Sequence, residues 1–476
     1  MLTYDCFNQI ILMPLFELAL TGQVLVFLIV IGVFLATGQA SIFHPLTTYL
    51  LFHGIAFVVR PLLVHYFDFN GEWRYMHLEP TEAQLIQSLV ISSVGLVVFA
   101  VSSIVLGKCE TKFAGNTLPD FTANEKLGLY LTTIILLPLV LYSILRSTHG
   151  GFQGELVGGT FILTGDTGYT IEAQFMAGPL ICAWLAVTRF RWFALLPLIP
   201  YIAYRSYAGM ARFTFVLLFL ALTLVFAWQK KIKWPPLWAG ACVIPLFILF
   251  QTIGANRGAF QDYLAGGHFF RVQSTEGMSA REKLQEKYDG PDFANFDFLT
   301  YVTVAVPAKT GTYTYGSQYL QLFTEPIPRK LWPGKPVGAP VGFFNLNNYG
   351  NFVGRTVSLV GDGWMSGGWV GLLVTMAIVG ALLGWAHRWF WKNMDSNLPA
   401  LFYLVGLAML PQWFRDGGIS ISKFVFWNLS PLVLWAGLTW LLGNRLMPGF
   451  TVLLPPGSRI RIVMPENRQR ATEHSL

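Results

Sequence analysis

Runs of about twenty apolar residues recur along this chain, and a run of that length with few charges is what about 30 Å of hydrocarbon demands of a helix. They fall near 18-37, 46-66, 86-107, 126-145, 171-188, 192-206, 212-229, 235-254, 368-387, 398-413 and 424-443. In lipid each backbone N–H and C=O must be satisfied within its own segment, so such runs leave helices or a closed barrel. Unbroken apolar runs, without polar alternation, choose the helix. The expected fold class is an all-α polytopic membrane protein with about 11 transmembrane helices, forming one integral membrane domain over residues 1-476. Charged residues make up only 12% of the chain, about half the usual share of a soluble domain, which excludes a soluble enzyme. The formal charge of +7 sits at the ends of the apolar runs, where it speaks for membrane lipids as neighbours and against nucleic acid. Cys6, Cys109, Cys182 and Cys242 lack any ligand spacing, so neither a zinc site nor a disulfide framework is indicated. The first run has no basic n-region or small-residue cleavage site and reads as a retained span.

Lys and Arg in short loops set the orientation, and QKKIK (229 to 233) is the most lopsided loop. Placing it in the cytoplasm also puts Lys108, Lys112, Lys126, Arg189, Arg191, Arg388, Lys392 and the Arg-rich C-terminus there. The loop at 68 to 82 and the long segment 255-367 then lie outside, the latter as one large, partly helical extracytoplasmic loop. Within it, Ser279-Ala-Arg-Glu282 predicts a capping box opening a short helix over 280 to 288, with Gly290 to end it. The aromatic runs FFRVQ, FDFLTYVTV and YTYGSQYLQLF suit an interface or a partial dip into the bilayer. The segment is expected to form a folded cap.

Outer loops should be poor in cations, yet Arg205, Arg212, Arg257, Arg271, Arg329, Lys330, Lys335, Arg355, Arg415 and Lys423 all map to that face. Guanidinium groups in such a setting suit a phosphate, to which they donate bidentate bonds while staying charged. The alternative for each is a local carboxylate or a lipid headgroup. Arg60 lies more than a turn inside the second span, in HGIAFVVRPLLVHY, where an ionisable group needs a partner or a polar cavity. His53 on the same run carries no partner motif.

EPIPRKLWPGKP, residues 325 to 336, can be no membrane helix, because each proline removes a donor and fixes its φ. Its prolines hold the cations in a loop of low entropy. With VPAKTGTYTYGSQYLQLFTE before it and RTVSLVGDGWMSGGWVG after it, this stretch resembles the bacterial oligosaccharide repeat-unit polymerases, the Wzy-type O-antigen and exopolysaccharide polymerases. The resemblance covers roughly 254 to 371, with weaker support from HPLTTYLLFHGIAFVVRP and RSYAGMAR. It implies a GT-C-like, metal-independent glycosyltransferase without cofactors, in the bacterial inner membrane. Such an enzyme joins polyprenyl-pyrophosphate-linked glycan donor and acceptor on the periplasmic face, alongside a chain-length regulator. It also places Arg329, Trp332 and Lys335 in the family signature, with Gly361-Asp362-Gly363 at the mouth of a span. The paired R-x10-G motifs of some members are absent: the eleventh residue after Arg257 is His268.

Glycosyl transfer from a lipid pyrophosphate needs donors aimed at the departing phosphate, each worth about 3 kcal/mol in the barrier. It also needs a base for the attacking hydroxyl, worth about 100-fold or more. The donors nominated are Arg257, Arg271, Arg329, Lys335 and Arg355, with Arg212, Arg415 and Arg60 in support. For the base, Asp362 between its glycines leads, followed by Glu325, Asp297, Asp262 and His268. Asp362 also reads as a turn residue ahead of a helix, and Glu325 as an ion-pair partner of Arg329. Trp332 is the residue expected to stack on sugar. Two other readings stay open: an O-antigen ligase using the same donor, and a transporter or flippase of lipid-linked glycans.

Overall fold

A computed structural model describes residues 2–111, 113, 120–149, 154–157, 160–163, 172–207, 213–235, 279, 282, 285, 289–324, 327, 331–332, 344–443, 451–453 and 461–463. The chain is a helical membrane protein. Among the described residues, five helical stretches are long and apolar enough to cross a membrane: Leu15–Ala36, Pro45–Phe67, Glu82–Gly107, Ala123–Arg146 and Ser358–Asn393. They belong to α1 (Leu2–Ala36), α2 (Pro45–Phe67), α4 (Glu82–Gly107), α5 (Ala123–His149) and α11 (Ser358–Asn393). Three shorter apolar helices among the described residues, α6 (Ala173–Val187), α8 (Thr214–Gln229) and Val425–Leu441, accompany them. The run at 192-206 is a short 3-10 turn, Trp192–Leu195, followed by α7 (Leu198–Tyr207). The run at 398-413 is divided at Met409 into α12 (Asn397–Ala408) and α13 (Leu410–Asp416), where Pro411 removes a helical donor. The run at 235-254 lies outside the described residues. The only strands among the described residues are two short antiparallel pairs, Gly154–Val157 with Thr160–Leu163 and Thr451–Leu453 with Arg461–Val463.

α2 shows how local chemistry sets the site. His44 caps it by accepting the Leu46 N–H at Nδ1, 3.1 Å away, and Pro45 occupies the first turn. From Gly54 to Val59 the helix widens into a π-turn, directly ahead of Arg60-Pro61. Pro61 has no N–H to give the Phe57 carbonyl, and Gln23 Nε2 of α1 donates to that oxygen instead. A neighbouring helix thus repairs the backbone that the proline breaks. The helix stops at Asp68, whose φ of 52° is left-handed. Across a short link follows α3 (Gly71–Met76).

α11 is two helices. Gly368 has φ 58° and ψ −133°, a conformation that favours glycine, and the chain folds back there. A Cβ on Gly363 would come 3.0 Å from Leu372 Cα, and one on Gly371 would run into the Gly363 carbonyl. A short arm, 358–366, therefore lies against the start of a long arm, 369–393. The long arm packs on α4 through a seam of small residues, where a side chain on Gly380 or Gly384 would strike the backbone at Phe99 or Ser103.

The segment expected to cap the bundle contributes α9 (Asn295–Ala305) and α10 (Ser317–Thr324). α9 is buried along its length and joins the same apolar core as the spans, packing on α4 and α11. Ser279 and Glu282 form the expected capping pair: Glu282 accepts the Ser279 N–H at 2.7 Å, and Ser279 Oγ accepts the Glu282 N–H at 3.2 Å. Hydrogen bonds from the Ser279 backbone N–H and from its hydroxyl hold the Glu282 carboxylate below its ordinary range.

Candidate functional site

α2, α3, α9 and α13 meet in a layer of charge. Arg60 is 1% exposed; its Nε donates to Asp297 Oδ2 and its Nη2 to Asp289 Oδ1, each at 2.7 Å. Nη2 also reaches the Phe69 carbonyl at 3.2 Å. Asp289 in turn accepts the Gly71 N–H at 2.8 Å, pinning the start of α3. On α3, Glu72 pairs with Arg355 at 2.5 Å, and that guanidinium lies 3.7 Å from the centre of the Tyr75 ring. Asn295, at the head of α9, donates to Thr356 Oγ1 at 3.3 Å and to the Arg415 carbonyl at 3.1 Å. Arg415 pairs with Asp292 at 3.2 Å and with Asp416 at 3.6 Å.

The layer continues to Asp362. Gly417 and Gly418 follow Arg415-Asp416 directly, and the Gly418 N–H donates to the Asp362 carboxylate. Asp362 is 1% exposed and sits within the short arm of α11. Both the loop and the turn placements proposed for it are therefore corrected: Ser358 opens the helix ahead of it, accepting the Gly361 N–H at 3.2 Å. Gln318 of α10 and Thr314 just ahead of that helix brace the arm. Gln318 donates to the Asp362 carbonyl at 3.2 Å and to Ser366 Oγ at 2.8 Å, and the Thr314 N–H donates to the Met365 carbonyl at 2.8 Å. These bonds satisfy carbonyls that the break at Gly367-Gly368 would leave unpaired.

Five of the residues nominated from sequence, Arg60, Arg355, Arg415, Asp297 and Asp362, thus fall in one region, in separate pairs that Asn295 and the Gly417-Gly418 backbone tie together. The arginines are not a bare cation cluster, however. Arg60, Arg355 and Arg415 face Glu72, Asp289, Asp292, Asp297 and Asp416, so carboxylates outnumber cations among the described residues. Burial pushes the carboxyls of Asp297, Glu72 and Asp416 up, against the pull of Arg60, Arg355 and Arg415 respectively. Arg60 Nη1, Arg355 Nε and Arg415 Nε each remain without a hydrogen-bond partner among the described residues. A layer of this kind has donors to spare for an anion and carboxyls able to take up a proton.

Trp332 is 38% exposed, and Leu320, Phe323 and Leu331 of the same region are exposed too. Arg212, Arg257, Asp262, His268, Arg271, Glu325, Arg329 and Lys335 lie outside the described residues. Asp289, Asp292 and Glu72 escaped nomination, because nothing local distinguishes them; their partners lie far along the chain, as with the 237 residues between Arg60 and Asp297. Among the described residues no three His, Cys, Asp or Glu side chains come together to hold a metal ion. No protein-family model matches the chain, nor does any curated protein or solved structure.

Proposed function

We propose that the protein polymerises polyprenyl-pyrophosphate-linked oligosaccharide repeat units into surface polysaccharide, by metal-independent glycosyl transfer at the polar layer. What supports this reading is the gathering of the Arg60, Arg355 and Arg415 ion pairs around α9, with the buried Asp362 joined to Arg415-Asp416 through the Gly418 N–H, together with the resemblance of residues 254 to 371. In the reaction the sugar C1–O bond to pyrophosphate breaks and the lipid pyrophosphate leaves with the bonding electrons. The acceptor hydroxyl oxygen bonds C1 and gives its proton to a carboxylate. Spare N–H donors on Arg355 and Arg415 would meet the charge growing on the leaving group, where such donors act most strongly. Asp362 is the base in this scheme, and α10 moving aside would admit the acceptor. The layer would face the periplasm, with the C-terminus in the cytoplasm.

The break in α11 beside a buried aspartate favours a second reading, since discontinuous helices build the sites of many transporters. Incubating the purified protein with lipid-linked repeat units separates the possibilities. A ladder of lengths, lost in Asp362→Asn and Arg355→Ala, is the expected result. Transfer to a lipid A-core acceptor would make the protein a ligase, and absence of any covalent product with transbilayer movement of the donor would make it a flippase.

A further inference from the structure

A groove of about 350 Å³ lies between the long arm of α11, α12, α13 and α14 (Gly418–Leu441), a volume within the range of about 300–1,000 Å³ found for ligand sites. Trp385 and Trp389 form one wall, and Phe402 and Leu429 stand among the others. Two of its polar side chains are engaged elsewhere, the Tyr403 hydroxyl donating to the Phe43 carbonyl and Gln412 Nε2 to Asp416, while the Trp413 indole N–H has no hydrogen-bond partner among the described residues. Gly406 leaves a gap in the lining, because a Cβ built there meets nothing within 4 Å. Trp385 is 58% exposed, so the groove opens sideways onto the flank of the bundle, where a hydrocarbon chain has access.

Two cations follow the groove's tryptophan wall along α11, outside the lining itself. Trp385, Trp389 and Lys392 recur at i, i+4 and i+7, a spacing that puts them on one helix face, so the Lys392 ammonium lies one turn beyond the tryptophans. Arg388, three residues after Trp385, immediately precedes Trp389, and it and Lys392 both lie within electrostatic reach of Cys109. Both cations are exposed, and tryptophan beside Lys or Arg is the usual signature of a membrane–water interface. This end of α11 is also the one remote from Asp362, so a lipid headgroup held here is not the one that would enter the polar layer. An apolar slot with cations following its tryptophan wall fits an amphiphile with an anionic head.

We propose that this groove binds one acyl chain of an anionic phospholipid whose headgroup rests on Lys392 and Arg388. The test is to titrate the full-length, detergent-purified and delipidated protein with phosphatidylglycerol and with phosphatidylcholine, reading bound lipid by native mass spectrometry. Phosphatidylglycerol should bind at one saturable site, at least tenfold tighter than phosphatidylcholine. Gly406→Phe, which fills the gap, should weaken that binding at least tenfold, and Arg388→Gln with Lys392→Gln should abolish the preference between the two lipids. Photoactivatable acyl chains on phosphatidylglycerol should crosslink wild-type protein at Trp385, Phe402 or Leu429, a readout that needs no variant to fold. Absence of a saturable site, crosslinks confined elsewhere, unchanged affinity in folded Gly406→Phe, an unchanged preference in the cation variant, or an isoprenoid phosphate displacing the phospholipid would each overturn the proposal.

Discussion

Arg60 carries the largest single consequence at the scale of one side chain. Breaking a buried ion pair by removing one partner costs about 3–5 kcal/mol, because the charge left behind stays buried. Arg60→Ala leaves both Asp289 and Asp297 without their shared guanidinium, and its melting temperature in detergent should fall accordingly. The pH dependence follows from Asp297, whose carboxyl burial holds above the ordinary value of about 3.9. A raised folded-state pKa contributes stability below the unfolded value and loses it as pH rises through the folded one. Thermal stability should therefore decline as pH climbs above the ordinary aspartate range. Asp297→Asn should flatten that slope while Arg60 keeps Asp289; an unchanged slope would show that another group titrates.

Residue chemistry was only half legible in the sequence, for a physical reason. Arg60 stood out because a cation inside a span is costly without a partner, and a partner is what it has. Which partner was not readable: Asp297 comes from α9, and Glu72 looked isolated because Arg355 meets it only through folding. The glycines flanking Asp362 suggest a turn in the sequence, whereas in the fold only Gly363 serves close packing. Gly363 lets Leu372 of the other arm approach, and a Cβ at Gly361 would meet only ordinary contacts.

Helices set the next scale. The runs expected at 46-66 and 86-107 correspond closely to α2 and α4, since unbroken hydrophobicity is a strong local signal. The interruptions at Met409 and Gly367-Gly368 depend on neighbours and left weaker traces. Packing of α11 on α4 gives a direct test. Gly384→Leu would drive a side chain into the Ser103 carbonyl, a clash that overpacking data place at about 1–3 kcal/mol or more. Gly32→Leu on α1 meets nothing within 4 Å and should change stability by less than about 0.5 kcal/mol. Comparing the two melting temperatures isolates the seam from any general effect of adding leucine to a membrane helix.

For the whole molecule, orientation is the open consequence of the charge pattern. Leu331→Cys beside the exposed Trp332 should react with a membrane-impermeant thiol reagent added to intact cells. Cys109, half-buried near Lys233 and Arg388, should react only after the membrane is opened. The reverse pattern would turn the polar layer toward the cytoplasm and remove the periplasmic reaction.

The reversal at Gly368 bears on how such a chain is threaded. Residues 358–366 make about 14 Å of helix, roughly half of what a bilayer's hydrocarbon requires. An arm that ends partway adds nothing to the tally of crossings. Everything after Asn393 would emerge on the same side with or without it, so the stretch bearing Asp362 can be reshaped without turning the rest of the protein inside out.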